Sequence, residues 1–338
     1  MMQKKYIRWI VFLLLLVIIT GVAVIISLSS GEMNISVSQL PGLLRTREGL
    51  EYMVLMQIRL PRLILAISVG GALSLSGAIL QGIYRNPLVE PYTLGISGGA
   101  ALGVAIAIVF SLQSTIGAVI LPLSGFIGAV IILFMVYFLS IRRGGLNINS
   151  MLLIGVMVSF VSSSAMMFLM SITTSDNIQS IVFWIMGSLD ESNSFLIKIA
   201  LYSSFSGLFI AYLFAQPLNA LRLGEAKAKH LGINTGATIR ILFVTASLLT
   251  GIAVSVVGVI GFVGLVIPHL VRLIIGNDYR VLLGGSFLGG AVFLIICDTI
   301  ARTIISPNEL PIGVITGIAG GIVFIMVLSR SKSKIKLN

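Results

Sequence analysis

Ten apolar windows occupy most of this 338-residue chain, near residues 7–28, 60–83, 93–110, 115–140, 150–171, 194–214, 236–257, 259–275, 281–304 and 311–329. A hydrocarbon layer takes about 20 apolar residues per helical crossing. In lipid every backbone N–H and C=O must also be satisfied within the segment, which leaves helices as the natural form for such runs. With 57% apolar and only 10% charged residues, the chain is far from a water-soluble globule, a disordered chain or a disulfide-stapled secreted domain. The expectation is an all-α, polytopic membrane protein of about ten spans, forming one transmembrane domain over 1–338. The first window is too long for a signal-peptide core and is expected to stay as an uncleaved span. Residues 236–275 carry no polar break, and their division near Gly258 is the least marked boundary.

Charge supplies the orientation. With ten spans, one set of loops receives sixteen basic residues against three acidic ones, Glu90, Glu225 and Asp278. The other receives six basic residues (Arg45, Arg47, Arg59, Arg62, Lys198, Arg302) against eight acidic ones. The resulting +13 and −2 recover the net +11. Positively charged loops stay in the cytoplasm, so both termini, including the basic tail 330–338, are expected there. A chain this basic would suggest nucleic acid if soluble. Here the excess is a topology signal, and no nucleic-acid partner is implied.

Thirty-six glycines, many closely spaced, suit tight packing of helices in lipid. Some could instead mark broken helices along a pathway, and residues 92–103 (YTLGISGGAALG) fit that second reading best. Ionisable groups inside the windows are scarce. Asp298 and Arg302 lie four residues apart on one helix face near the outer end of the ninth window. His230 and His269 have no Cys or carboxylate cluster near them, Cys297 is the only cysteine, and no catalytic dyad or triad is visible. An ion-coupled carrier acting alone, the competing class, would ordinarily keep an acid or histidine at mid-membrane. The longest polar stretch within the bundle on the basic side is 218–233, LNALRLGEAKAKHLGI, in which Gly224 and Gly232 bracket room for about two helical turns. Such a short interfacial helix could enter a groove of a cytoplasmic partner, or be an ordinary basic loop.

The order of motifs decides between these. RLPR (59–62), SGAILQGIYRNPLVEP (76–91), LGISGGA (94–100), LLIG (152–155), WIMGSL (184–189), LNALRLGEAKAKHLG (218–232), GVIGFVGLVIPHLVR (258–272) and DTIARTIISPNELPIG (298–313) follow one another along the chain. From about Arg59 to Leu328 the chain resembles the permease subunit of binding-protein-dependent, ATP-driven importers of iron–siderophore complexes, haem and cobalamin. Two positions depart from that pattern: Gly284–Gly285 stand where the family usually has Leu-Pro, and Ile322 stands near a usual proline.

The resemblance implies a type II ABC importer permease fold in the cytoplasmic membrane. It also implies pairing with a second permease subunit, two cytoplasmic ATP-binding subunits below, and an extracytoplasmic binding protein above. No Gly-Lys pair occurs, so a phosphate-binding loop is missing. The chain is therefore expected to be no enzyme and to bind no cofactor, with ATP and Mg on the partner ATPase. By similarity, Arg59, Arg62 and Arg302 are candidates for binding-protein docking, suited by the paired donors of guanidinium. Their bland alternatives are snorkelling to headgroups or an internal Arg302–Asp298 pair. Leu223, Gly224, Glu225, Ala228, Leu231 and Gly232 are candidates for ATPase coupling. Asn86, Leu88, Asn147, Ile148 and Asn149 are candidates for a cytoplasmic gate, although Asn86–Pro87 also suits a plain turn and Asn149–Ser150 a helix cap. A ferric siderophore is the first substrate expected, haem or cobalamin next.

Overall fold

The computed structural model describes residues 2–33, 35–142, 145–146 and 148–335. Ten principal helices follow the apolar windows: α1 Met2–Ser29, α2 Leu60–Tyr84, α3 Ile96–Val109, α4 Ile120–Leu139, α5 Ile148–Ile172, α6 Ser194–Leu213, α7 Thr235–Val257, α8 Val263–Ile275, α9 Tyr279–Thr303 and α10 Ile312–Ile335. Seven stretches, including α2 extended back to Leu50, are long and apolar enough to cross a membrane. Three shorter apolar helices, Ile96–Val109, Val263–Ile275 and Ile312–Val327, complete the set.

Helix α2 is the axis of the bundle. It packs against α9, α6, α7 and α8, and nearly every residue from Leu63 to Ile83 is buried. Its sequence permits this because small residues stand where neighbouring backbones arrive. A Cβ on Gly70 would overlap the carbonyl of Gly290 in α9, and one on Gly77 would overlap the carbonyl of Gly264 in α8. Glycine at these crossings sets the helix separation, the role expected where lipid provides no hydrophobic drive for association. Helix α3 lies against α4 and α5, while α1 sits at the edge against α9 with most of its apolar surface uncovered. One contiguous core runs from Trp9 to Ile312, and a small second cluster gathers Val104, Ala105, Ile108 and Ile181.

The division of 236–275 falls where it was expected, but as an irregular segment. Helix α7 stops at Gly258 (φ +76°), and α8 begins after Phe262, held in the left-handed region at φ +68°. The break suspected in 92–103 also exists. Pro91–Leu94 form a 3-10 turn, Gly95 is left-handed at φ +80°, and only then does the 14-residue α3 start. The Tyr92 hydroxyl anchors this turn by donating to the Ile260 carbonyl (2.5 Å) and accepting from the Ile260 N–H (3.1 Å). At the two departures from the family pattern, α9 runs unbroken through Gly284–Gly285 and α10 through Ile322.

Other elements lay outside the windows. A π-helical turn, Val54–Arg59, leads into α2, a 12-residue helix Ser175–Met186 fills the connection from α5 to α6, and a short hairpin pairs Ile141–Arg142 with Gly145–Leu146.

Candidate functional site

Every ion pair among the described residues joins groups that the loop alternation had put on one side: Lys5–Asp278, Arg280–Asp278, Arg62–Asp190, Arg62–Glu309 and Arg302–Asp298. The charges therefore fall into two clusters at opposite ends of the bundle.

The acidic-loop end brings Arg59, Arg62 and Arg302 together, as the sequence suggested, but none of them stands free. They are 3%, 6% and 7% exposed. Arg302 Nε donates to Asp298 Oδ2 at 2.9 Å, and its remaining nitrogens reach the Ser27 hydroxyl (3.1 Å) and the Ser27 and Ser30 carbonyls. The internal pair is thus real, and it ties α9 to the end of α1. Arg62 donates to Glu309 at 2.7 Å and lies 3.2 Å from Asp190, bridging the two loops that follow α9 and Ser175–Met186. Its Nε has no partner among the described residues. Arg59 donates to the Leu28 and Met33 carbonyls and has no carboxylate partner among the described residues. Beside them opens a cavity of about 450 Å3, with Arg59 and Arg302 on its wall and Glu32 and Glu309 among its lining residues. A carboxylate entering there would meet two guanidinium groups.

At the basic-loop end, 218–233 folds as two short helices. Ala215–Leu221 is followed by a turn at Gly224 (φ +104°), the helix Glu225–His230, and a second turn at Gly232 (φ +81°). The glycine brackets read from sequence are therefore the two left-handed corners, and the helix between them has six residues. Ala228 is fully buried and fastens the helix to the bundle, while Leu223 (58%) and Leu231 (63%) project outward beside Lys227, Lys229 and His230. Two exposed leucines thus stand beside three basic side chains. Glu225 and Lys229 also line a cavity of about 500 Å3 at the start of α7.

The gate candidates divide. Asn86 and Leu88 are exposed, and Asn86 Oδ1 accepts the Leu88 N–H at 2.9 Å, so turn chemistry accounts for the asparagine. Ile148 and Asn149 occupy the first turn of α5, which places Asn149 inside the helix instead of at its cap. Asn147 lies outside the described residues. Close by in sequence, Glu90 was read as a loop acid. It is half-buried between Val89 and Pro91, its carbonyl accepts from the Thr93 N–H and hydroxyl, its carboxyl has no partner among the described residues, and burial pushes that carboxyl above the usual carboxylate range. Asp278 is the opposite case. The Arg280 guanidinium holds it well below that range, with Asn219 and Lys5 assisting. No group of three or more His, Cys, Asp or Glu able to hold a metal occurs among the described residues.

A many-helix bundle with seven stretches long and apolar enough to cross a membrane, and ion clusters at its two ends, has the build of a polytopic membrane protein. Comparison with known proteins makes this specific: residues 14–330 match the FecCD transport family, and the chain belongs to that family. It is 40% identical over 282 residues to the hemin transport system permease protein HmuU of Yersinia pestis, covering 82% of this chain and 84% of that protein. To the vitamin B12 import system permease protein BtuC of Salmonella typhimurium it is 37% identical over 332 residues, 97% of each. The solved inward-facing structure of a metal-chelate type ABC transporter superposes with a TM-score of 0.83 at 31% identity, over 95% of this chain and 99% of that one. The chain is accordingly a multi-pass permease of the inner membrane, of the ABC transport type, and is not itself an enzyme.

Proposed function

We propose that this permease forms the translocation pathway of an ATP-driven importer for an iron chelate, a ferric siderophore first and haem or cobalamin next. In this reading it has ten spans with both termini cytoplasmic. It pairs with a second permease subunit, rests on two cytoplasmic ATP-binding subunits that hold ATP and Mg, and receives substrate from an extracytoplasmic binding protein. The observation that carries the reading is the helix Glu225–His230, anchored by buried Ala228 and presenting Leu223 and Leu231 outward. The surrounding residues Gly224, Glu225 and Gly232 set its angle, and together they suit transmission of movement from an ATPase groove.

Docking of the binding protein is assigned to the cavity beside Arg59, Arg62 and Arg302. Because these arginines are buried and already engaged, an incoming carboxylate would share or exchange their partners. The free Arg62 Nε and the carboxylate-free Arg59 leave room for that. Asn86, Leu88, Asn147, Ile148 and Asn149 are assigned to the cytoplasmic gate between paired subunits. The names of the relatives support a metal-chelate or corrinoid cargo as a class, with hemin and vitamin B12 represented among them. The test is reconstitution of the permease with its ATPase and binding protein in liposomes, followed by uptake of labelled ferric siderophore, haem and cobalamin. Uptake that needs ATP and the binding protein supports the proposal. Uptake by the permease alone on an ion gradient would overturn it.

A further inference from the structure

Between the inner end of α2, the end of helix Ala215–Leu221 and the end of α8 lies a second cationic cavity, of about 270 Å3, that the proposed function leaves unused. Arg85, Arg222 and Arg272 all line it, and no carboxylate does. Arg272 is held in place, donating to Gln81 Oε1 at 2.9 Å and to the Tyr279 hydroxyl. Arg222 donates to the Asn277 carbonyl at 2.6 Å. Arg85, the left-handed residue that ends α2, has no hydrogen bond or ion pair among the described residues. The nearest acid in sequence, Asp278, is already taken by Arg280, Lys5 and Asn219. Three guanidinium groups that cannot lose their charge therefore line one small space that no carboxylate of the described residues lines.

The cavity is continuous with the projecting helix. Arg222 stands one residue before Leu223, and the Arg85 guanidinium lies against Gly224, where a Cβ would come within 3.4 Å of it. A protein that meets Leu223 therefore lies within a residue or two of Arg222 and of the Arg85 guanidinium. We infer that the cavity receives a carboxylate side chain of the ATP-binding subunit, gripped by Arg85 and Arg222 beside the projecting helix. Paired guanidinium donors match a carboxylate geometrically. The inference rests on the ATPase partnership proposed above. The plain alternative is that the three cations only complement the C-terminal ends of their helices, and a second is that an anionic lipid headgroup fills the cavity.

The test measures binding of the ATPase subunit to permease held in nanodiscs, over a series of salt concentrations, in neutral and in anionic lipid. Removing one partner of a well-packed interfacial charge pair weakens binding by about tenfold or more. The double variant Arg85→Gln/Arg222→Gln should therefore bind about tenfold or more weaker in both lipids and show a shallower salt dependence. Its melting temperature without ATPase should remain near wild type, and Arg222→Lys should recover part of the loss. Binding within about twofold of wild type overturns the inference in favour of helix-end complementation. A loss confined to anionic lipid overturns it in favour of a headgroup site. If wild-type permease binds no ATPase at all, the partnership itself fails, and that outcome is distinct from failure of the pocket.

Discussion

Replacing Asp298 by asparagine tests whether the outer ion pair is a structural element of the bundle. Both side chains are only 6% exposed, with Arg302 Nε 2.9 Å from Asp298 Oδ2. The substitution keeps shape and removes the charge, leaving a buried guanidinium on the neutral oxygens of Ser27 and Ser30. Orphaning one member of a buried pair costs about 3–5 kcal/mol. At about 2–4 °C per kcal/mol for a large domain, the melting temperature in detergent should fall by roughly 6–20 °C. Arg302→Met should cost less. The stranded Asp298 can take up a proton, whereas a stranded arginine cannot lose one. Removing both charges with Asp298→Leu/Arg302→Met should return the chain close to wild type, because a buried pair seldom outperforms apolar packing of similar volume. The assay is a double-mutant cycle read by intrinsic-fluorescence melting of the purified permease. Single variants within about 1 kcal/mol of wild type, or effects that add within about 0.5 kcal/mol, would refute the reasoning and return the pair to the class of weak surface contacts.

Four further outcomes follow from other parts of the molecule. Gly77→Ala places a Cβ on the Gly264 carbonyl, where backbone on both sides cannot give, and should lower stability by about 1–3 kcal/mol or more; Gly317→Ala, with open space around it, should be neutral or stabilising by up to about 1 kcal/mol in the same melting assay. Leu223→Asp should abolish co-purification of the ATPase while leaving the permease's own melting temperature unchanged, since Leu223 is 58% exposed. Asp278, whose carboxyl is depressed, adds stability that is complete above the unfolded value of about 4 and is lost as pH falls from there through the folded value. Asp278→Asn should therefore melt below wild type at pH 7, and the gap should close as the pH is taken below about 4. Glu90, raised by burial, has the opposite sign: Glu90→Gln should melt above wild type at neutral pH, with the advantage vanishing in acid.

The helices that could be read from sequence are those whose apolar run is also their length. Helices α2, α5, α6 and α7 match their windows to within a residue or two, because hydropathy alone sets where a span can lie. The helix Ser175–Met186 escaped because it opens on Ser175, Asp176 and Asn177 and has 12 residues, too few and too polar at the start for a window about 20 residues wide. The window 115–140 began five residues early, since Gly117 (φ +95°) separates the short helix Leu112–Ile116 from α4. The site was legible as a grouping and illegible as geometry. Charge segregation put Arg59, Arg62 and Arg302 on one side, and the spacing of Asp298 and Arg302 announced their pair. Nothing local says that Arg59 turns inward to the Leu28 and Met33 carbonyls, because those acceptors come from the end of a helix some 30 residues earlier. The arginine cavity at the inner end is equally invisible, being assembled from residues 85, 222 and 272 across three helix ends.

The two ends of the bundle handle positive charge in opposite ways, and that difference bears on how long each partner stays. At the outer end Arg302 has Asp298, Arg62 has Asp190 and Glu309, and Arg59 has two carbonyls. A docking carboxylate there gains its contacts largely by sharing or displacing groups already bound, so its net gain is the small difference between two similar interactions. Such a surface suits a binding protein that must leave after delivering its cargo. At the inner end Arg85 has no hydrogen bond or ion pair among the described residues and no acid lines the cavity, so a carboxylate entering it meets no competing carboxylate. Its gain adds to the burial of Leu223 and Leu231. In the proposed assembly this difference makes the ATPase the standing partner and the binding protein the transient one. Dissociation kinetics on the reconstituted permease should therefore show the binding protein leaving faster than the ATPase.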